Sequence, residues 1–240
     1  MSASSLASSA ARLAEQGFDL CQAFGTDDYN TSASAQSHDF RLPSFGRPSA
    51  LAWVVGHTKA LWPPFAREYE QSPELKASEH PLNTYTELAI DEVRRASRAA
   101  CIAFFSHAAQ APIPIQRIAH VARLAELSPS HLSVHPTAGP WLGLRAVVVF
   151  DLEPVLEPPA QRFSHCCTCP KPCLAALEAA LKPPDTAQGP PWRRWLAVRD
   201  SCPVGTEARY SPNQIRYHYT KDRSALSGPA INTGQDRDSA

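Results

Sequence analysis

HLSVHPTAGPWLGLRAVVVF, residues His131 to Phe150, is the stretch whose reading decides the fold. Its end, Val147, Val148, Val149 and Phe150, predicts a strand, because β-branched and aromatic side chains fit a buried, pleated surface. HLSV is a shorter strand-like piece. Between the two lie a histidine, a proline-and-glycine loop and Trp141. A rigid strand therefore presents a polar, kinked loop, an arrangement in which the core fixes the backbone and the loop supplies the chemistry.

Working outward, the pattern predicts helices and strands in alternation. Leu6 to Gln16 carries Leu6, Ala10, Leu13 and Ala14 at helical spacing, with Gly17 as its stop. Asp27 to Ser37 is polar and is expected to be a loop. Ala50 to Val55 reads as a buried strand, with His57 at its end either facing a cleft or serving as a cap or core group. Lys59 to Gln71 is expected to be a helix started by Thr58 and bent near Pro63-Pro64. Pro81 to Arg98 is the clearest helix, and Arg94, Arg95 and Arg98 crowd its last turn, where cations suit the helix dipole. Cys101 to Phe105 reads as a strand and Ile115 to Leu127 as a helix.

The order predicts a three-layer sheet-and-helix domain of the α+β class over residues 17–156, although order alone fits an α/β arrangement too. Residues 157–223 are expected to form an irregular extension. It holds a cysteine cluster, a short helix from Leu174 to Leu181, Trp192 and Trp195, and a final helix from Pro212 to Tyr219. Ser224 to Ala240 has no apolar periodicity and is expected to be a disordered tail.

The charge balance, 23 basic against 23 acidic residues, supplies no global field toward nucleic acid or an anionic membrane. The apolar runs are far shorter than a membrane span. The chain reads as cytoplasmic. Its 23 prolines, roughly double the ordinary usage of about 5%, break it into short elements. Seven cysteines are unevenly placed, with Cys166, Cys167, Cys169 and Cys173 close together and Cys202 following. In a reducing compartment such clustering favours metal or redox chemistry over disulfides.

His135, Pro136, Gly139, Pro140 and Trp141, with Leu144-Arg145 and Val147-Val148-Val149 after them, resemble the HPxxGxW motif and following strand of the CblC cobalamin-processing family. Further stretches agree in order: Phe40-Arg41-Leu42-Pro43 with Ala50 to Val55, Ala60 to Phe65, Pro81 to Val93, Ala119-His120-Val121-Ala122, and Arg209-Tyr210-Ser211 with Gln214. Together they span most of residues 17–220. The resemblance implies a scaffold similar to flavin nitroreductases and a pocket for base-off cobalamin (vitamin B12). It implies removal of cyanide or an alkyl group from cobalt, with a flavin (FMN or FAD), another electron-transfer donor or glutathione as reductant. His135, Pro136, Gly139 and Trp141 become corrin contacts, with Leu142, Trp53 and Phe104 as further apolar wall. Arg145, Arg162 and Arg209 become candidates for the glutathione carboxylates, because a guanidinium fork matches a carboxylate; Arg145 could equally pair with Asp151. A non-catalytic cobalamin carrier and a small metal-binding redox protein remain alternative readings.

Cys166-x2-Cys169-x3-Cys173 departs from that family and resembles half of a ferredoxin-type motif, with Cys202-Pro203 as the natural fourth ligand. Three readings stay open: a four-iron, four-sulfur cluster on Cys166 or Cys167 with Cys169, Cys173 and Cys202; a zinc ion on the same residues; or a remnant without metal.

Overall fold

The computed structural model describes residues 3–36, 40–109, 112–154, 164–183 and 190–227. The decisive stretch holds β6 (Gly143–Phe150), the longest strand among the described residues. Its neighbours are β2 (Leu51–His57) and β3 (Cys101–Phe105), and β1 (Leu20–Gly25) adds the far edge, giving an antiparallel sheet of order β1-β2-β6-β3. Trp53 pairs with Val148, and Val148 pairs with Ala103 on its other side. Both faces of the central pair are apolar, which explains the unbroken hydrophobic runs in the sequence.

Alternation along β2 and β6 sends residues to two cores. Leu51, Trp53, Val55, Ala146, Val148 and Phe150 face one core, built with α1 (Ala3–Glu15), α4 (Trp62–Gln71), α5 (Pro73–Ala77), α6 (Pro81–Ala96) and α11 (Pro212–Thr220). Ala52, Val54, Val147 and Val149 face the other, closed by Tyr29 of α2 (Thr26–Asn30), Ala35 of α3 (Ala33–Gln36) and Ile118 of α7 (Ile115–Val121). The result is the expected mixed α+β arrangement in three layers. Phe65 is fully buried and packs against Tyr85 and Tyr217. Phe65→Ala is expected to lower stability by about 3–5 kcal/mol, read as a lower denaturant midpoint at unchanged slope.

Several local expectations are corrected. The Asp27–Ser37 stretch is not a loop through Gln36 but carries α2 and α3; the Asp28 carboxylate accepts the Gly25 N–H at 3.1 Å, supplying a start that composition does not show. Pro63 and Pro64 do not bend a helix. They occupy its first turn, where their missing N–H groups cost nothing, after a 3-10 turn at Lys59–Leu61 that Thr58 caps. The helix expected over Ile115–Leu127 stops at Val121, because Arg123 adopts a left-handed conformation (φ 62°); Glu126–Leu127 then forms β4, paired with β5 (Ser133–Val134). The edge strand β1 has no alternation in LCQAFG to announce it.

In the extension, α8 (His165–Thr168), α9 (Pro172–Leu181) and α10 (Trp192–Asp200) precede α11. Trp192 and Trp195 therefore belong to one helix. Ser224, Ala225 and Leu226 do not begin a disordered tail: they lie in a 3-10 turn whose Ala225 and Leu226 are buried in the first core. Residues 228–240, Arg162 and the domain boundary near Leu156 lie outside the described residues. Among the described residues no helix is long and apolar enough to cross a membrane.

Candidate functional site

Where β2 and β6 diverge, the register shifts between Val55 and Gly56. This bulge sets His57 and Arg145 at one end of the sheet. They line a cavity of about 360 Å³ with Gln116 of α7, Leu132 and Ser133, Pro140 and Leu142, Arg199 of α10, and Tyr210, His218 and Tyr219 around α11. A cavity of that volume suits a small-molecule ligand or part of a larger one.

Its polar centre is unusual. His57 is fully buried, and its Nδ1 lies 2.8 Å from the Thr58 carbonyl. A carbonyl only accepts, so Nδ1 carries the proton and Nε2 is the acceptor. Arg145 Nη2 donates to that Nε2 at 3.0 Å. Gly143 is required here: a Cβ at that position would lie 2.4 Å from His57 Nε2. His57 stacks on Tyr210 and on His218, with ring centroids 6.2 and 5.8 Å apart. Arg145 Nε and His218 Nε2 are buried without a hydrogen-bond partner among the described residues. Among the described residues no Asp or Glu lines the cavity. A guanidinium held deep in the protein without a carboxylate, beside the second guanidinium of Arg199, makes the cavity suited to an anionic or strongly hydrogen-bond-accepting ligand.

Burial pushes His57 well below its ordinary value, and the Arg145 charge adds to this; burial and the same charge do so for His218. Both are therefore neutral in the folded protein near neutral pH. Unfolded, each regains a pKa of about 6.5 and binds a proton the folded state does not. Stability is thus fully present above about pH 6.5 and falls as pH drops toward the depressed folded values, by up to about 1.4 kcal/mol per pH unit for each histidine. Denaturant unfolding at pH 7 and pH 5 checks this, and His57→Gln is expected to flatten the dependence.

The sequence-predicted residues divide. Arg145 lies in the cavity, and it does not pair with Asp151, which bonds Arg47 at 2.7 Å instead. Arg209 is engaged elsewhere: its Nε and Nη2 donate to Asp200 at 2.6 and 3.1 Å, and its guanidinium covers Trp141 at 5.3 Å. Arg209 therefore already holds a carboxylate and does not line the cavity. His135 is half-buried, and its Nδ1 accepts the N–H groups of Thr137 and Ala138 at 3.3 and 3.2 Å. Its backbone pairs with Gly139 in both directions, which closes the HPTAG turn. Pro136 is exposed. Trp141, 1% exposed, is packed on Tyr210 and Ile215, so it anchors the cavity wall from behind. Of the remaining apolar candidates, Leu142 lines the cavity, whereas Trp53 packs on Phe150 and Phe104 on Phe40. The loop thus reaches the cavity through Pro140 and Leu142. Sequence reasoning did not single out Arg199, His218 or Tyr219; a histidine or arginine on a short helix reads as surface, and only the packing of α10 and α11 at the sheet end brings them inward.

The four cysteines Cys166, Cys169, Cys173 and Cys202 line a second, smaller pocket, while Cys167 is exposed and lies outside it. Burial, with the Glu126 carboxylate nearby, pushes the Cys166 thiol up to about 12. Among the described residues no group of three or more His, Cys, Asp or Glu side chains is placed to hold a metal ion.

No family model matches the sequence, and no curated protein matches it. A crystal structure of the C. elegans B12-trafficking protein CblC, a human MMACHC homologue, is similar to it with a TM-score of 0.70 at 18% identity, covering 93% of this chain and 96% of that one. The described chain therefore has the fold of that CblC structure, with the cavity at the open end of its sheet.

Proposed function

We propose that the cavity binds a cobalamin in its base-off form and that the protein removes the upper axial ligand, cyanide or an alkyl group. The observation that carries this reading is the pairing of a CblC-like fold, matched over nearly the whole chain, with a cavity lined by two guanidiniums and two imidazoles in which Arg145 Nε and His218 Nε2 lack partners among the described residues. Leu142, Pro140, Ile115 and Leu132 offer apolar wall to a corrin edge, and Arg145, Arg199, Gln116 and Tyr219 offer donors to its carbonyl-rich fringe. Loss of the lower base removes an axial ligand, which makes cobalt easier to reduce by the same logic that tunes haem potentials.

Two routes share the site. A reduced flavin or another electron donor supplies electrons to cobalt, and cyanide leaves with its bonding pair. Alternatively a glutathione thiolate attacks the cobalt-bound carbon: a sulfur–carbon bond forms, and the cobalt–carbon pair stays on cobalt, which is reduced by two electrons. Arg145 and Arg199 are the anchors for the glutathione carboxylates. The nitroreductase likeness of the scaffold and a cytoplasmic location belong to the same reading. Cyanide release from cyanocobalamin under reduced flavin, or thioether formation from methylcobalamin and glutathione, is the expected result. A protein that binds both cobalamins and releases neither product would be a carrier.

A further inference from the structure

Among the described residues no carboxylate stands beside Arg145 in the cavity; what holds its guanidinium is a neutral imidazole. The orientation of that imidazole is fixed from outside the sheet. The Asp19 carboxylate, just before β1, accepts the Thr58 N–H at 2.7 Å and the Thr58 hydroxyl at 2.6 Å. Thr58 Oγ1 accepts the Ala60 N–H at 3.2 Å in turn, capping the 3-10 turn. A residue tied at both its N–H and its hydroxyl has little freedom left in its carbonyl. That carbonyl takes the His57 Nδ1 proton at 2.8 Å, which leaves Nε2 as the acceptor for Arg145 Nη2 at 3.0 Å. The opposite tautomer would set a ring N–H against a guanidinium N–H and a bare nitrogen against a carbonyl oxygen. The ring plane is held as well: it stacks on Tyr210 and His218 at 21° and 14°, and the missing side chain of Gly143 admits Nε2.

Resting on the proposed function, in which Arg145 anchors an anionic ligand, we infer that His57 is the positioning residue of that anchor: its neutral imidazole directs the guanidinium without cancelling its charge. A carboxylate in the same place would hold the guanidinium at least as firmly. It would also satisfy the charge, and an incoming carboxylate would then have to displace an internal one. A neutral acceptor supplies direction alone. The charge stays available to the ligand, and in a buried setting it acts through a lower dielectric than at the surface. Arg199, the second guanidinium of the cavity, follows the same pattern, lying over the neutral Trp141 ring at 6.0 Å. The chain Asp19, Thr58, His57, Arg145 thus runs from an exposed carboxylate to a buried cation, with two uncharged groups between them.

The test is the affinity for S-methylglutathione, which keeps both carboxylates of glutathione and lacks its free thiol, measured by calorimetry on the full chain. His57→Leu is expected to raise Kd about 10- to 30-fold, as for the loss of a hydrogen bond to a charged group. His57→Gln, whose amide oxygen reaches the position of Nε2, is expected to bring Kd back to within about threefold of wild type. His57→Glu separates positioning from structure: its thermal midpoint is expected to match or exceed that of His57→Leu, while its Kd rises about 100-fold over wild type. Wild-type affinity in His57→Glu, or Kd values that simply follow the midpoints of the three variants, would overturn the inference. Nitrogen NMR of the wild-type chain reads the ring directly, the His57 signals being those lost in His57→Gln. A protonated Nδ1 and a bare Nε2 are expected, and the reverse tautomer overturns the inference even where a variant fails to fold. A wild-type chain that turns cyanocobalamin base-off but does not bind S-methylglutathione overturns it and leaves the cobalamin reading standing. Binding of S-methylglutathione with the expected variant order, while cyanocobalamin stays base-on, upholds it and removes the cobalamin reading.

Discussion

Arg145→Leu is expected to lower kcat/KM for glutathione-dependent dealkylation of methylcobalamin about 100-fold while leaving the fold intact. The guanidinium lies deep in the protein, bonded to His57 Nε2, and among the described residues its Nε has no partner and no carboxylate lines the cavity. Burial therefore pushes its pKa below the ordinary value. A hydrogen bond to a charged group contributes about 1.5–3 kcal/mol, and the upper part of that range corresponds to the 100-fold loss. The same substitution removes a poorly compensated buried charge, which offsets the lost bond to His57. Activity and stability should consequently separate: turnover collapses while the thermal midpoint moves little. Arg145→Lys keeps the charge but not the fork, and an intermediate loss is expected. Equal loss in stability and in turnover for Arg145→Leu would show that the guanidinium is structural.

Gly139→Ala is expected to have the largest effect on the fold. Gly139 has φ 57°, and a Cβ there would lie 1.9 Å from the Val204 carbonyl oxygen; Gly205, at φ 71°, presses back on Ala138 just as closely. Two backbones touch at this point, so no side-chain rotation relieves the clash. Either the HPTAG turn or the segment carrying Cys202 must move. A loss of about 3–5 kcal/mol follows from combined clash and left-handed strain, seen as a fall of roughly 10 °C or more in midpoint for a chain of this size. An unchanged midpoint would contradict the contact.

This contact also shows where the sequence could be read and where it could not. The valine run of β6, the apolar β2 and the periodicity of α6 each announced their element, because burial on both faces or on one helical stripe leaves a pattern. The HPTAGPW loop announced a site, yet its most visible residues turned out to serve the loop itself. His135 closes the turn, and Trp141 anchors it against Tyr210. A motif records what must be held in place as well as what must touch a ligand. The cavity's own groups sit on short helices far along the chain. His218 and Arg199 carry no local signal, since their burial comes from α10 and α11 packing back over the sheet end. Arg209 was legible as an arginine near a motif but not as the partner of Asp200, nine residues earlier at the end of α10. The cysteine spacing drew attention to thiols that the structure places around one pocket, with Cys166 rather than Cys167 facing it.

The central claim, that the cavity at the end of the sheet takes a base-off cobalamin, is tested most directly by the absorption spectrum of cyanocobalamin titrated with the protein. The account predicts a stoichiometric shift to the base-off spectrum in the wild-type chain, weakened in Arg145→Leu. A base-on spectrum that stays unchanged at saturating protein would contradict it.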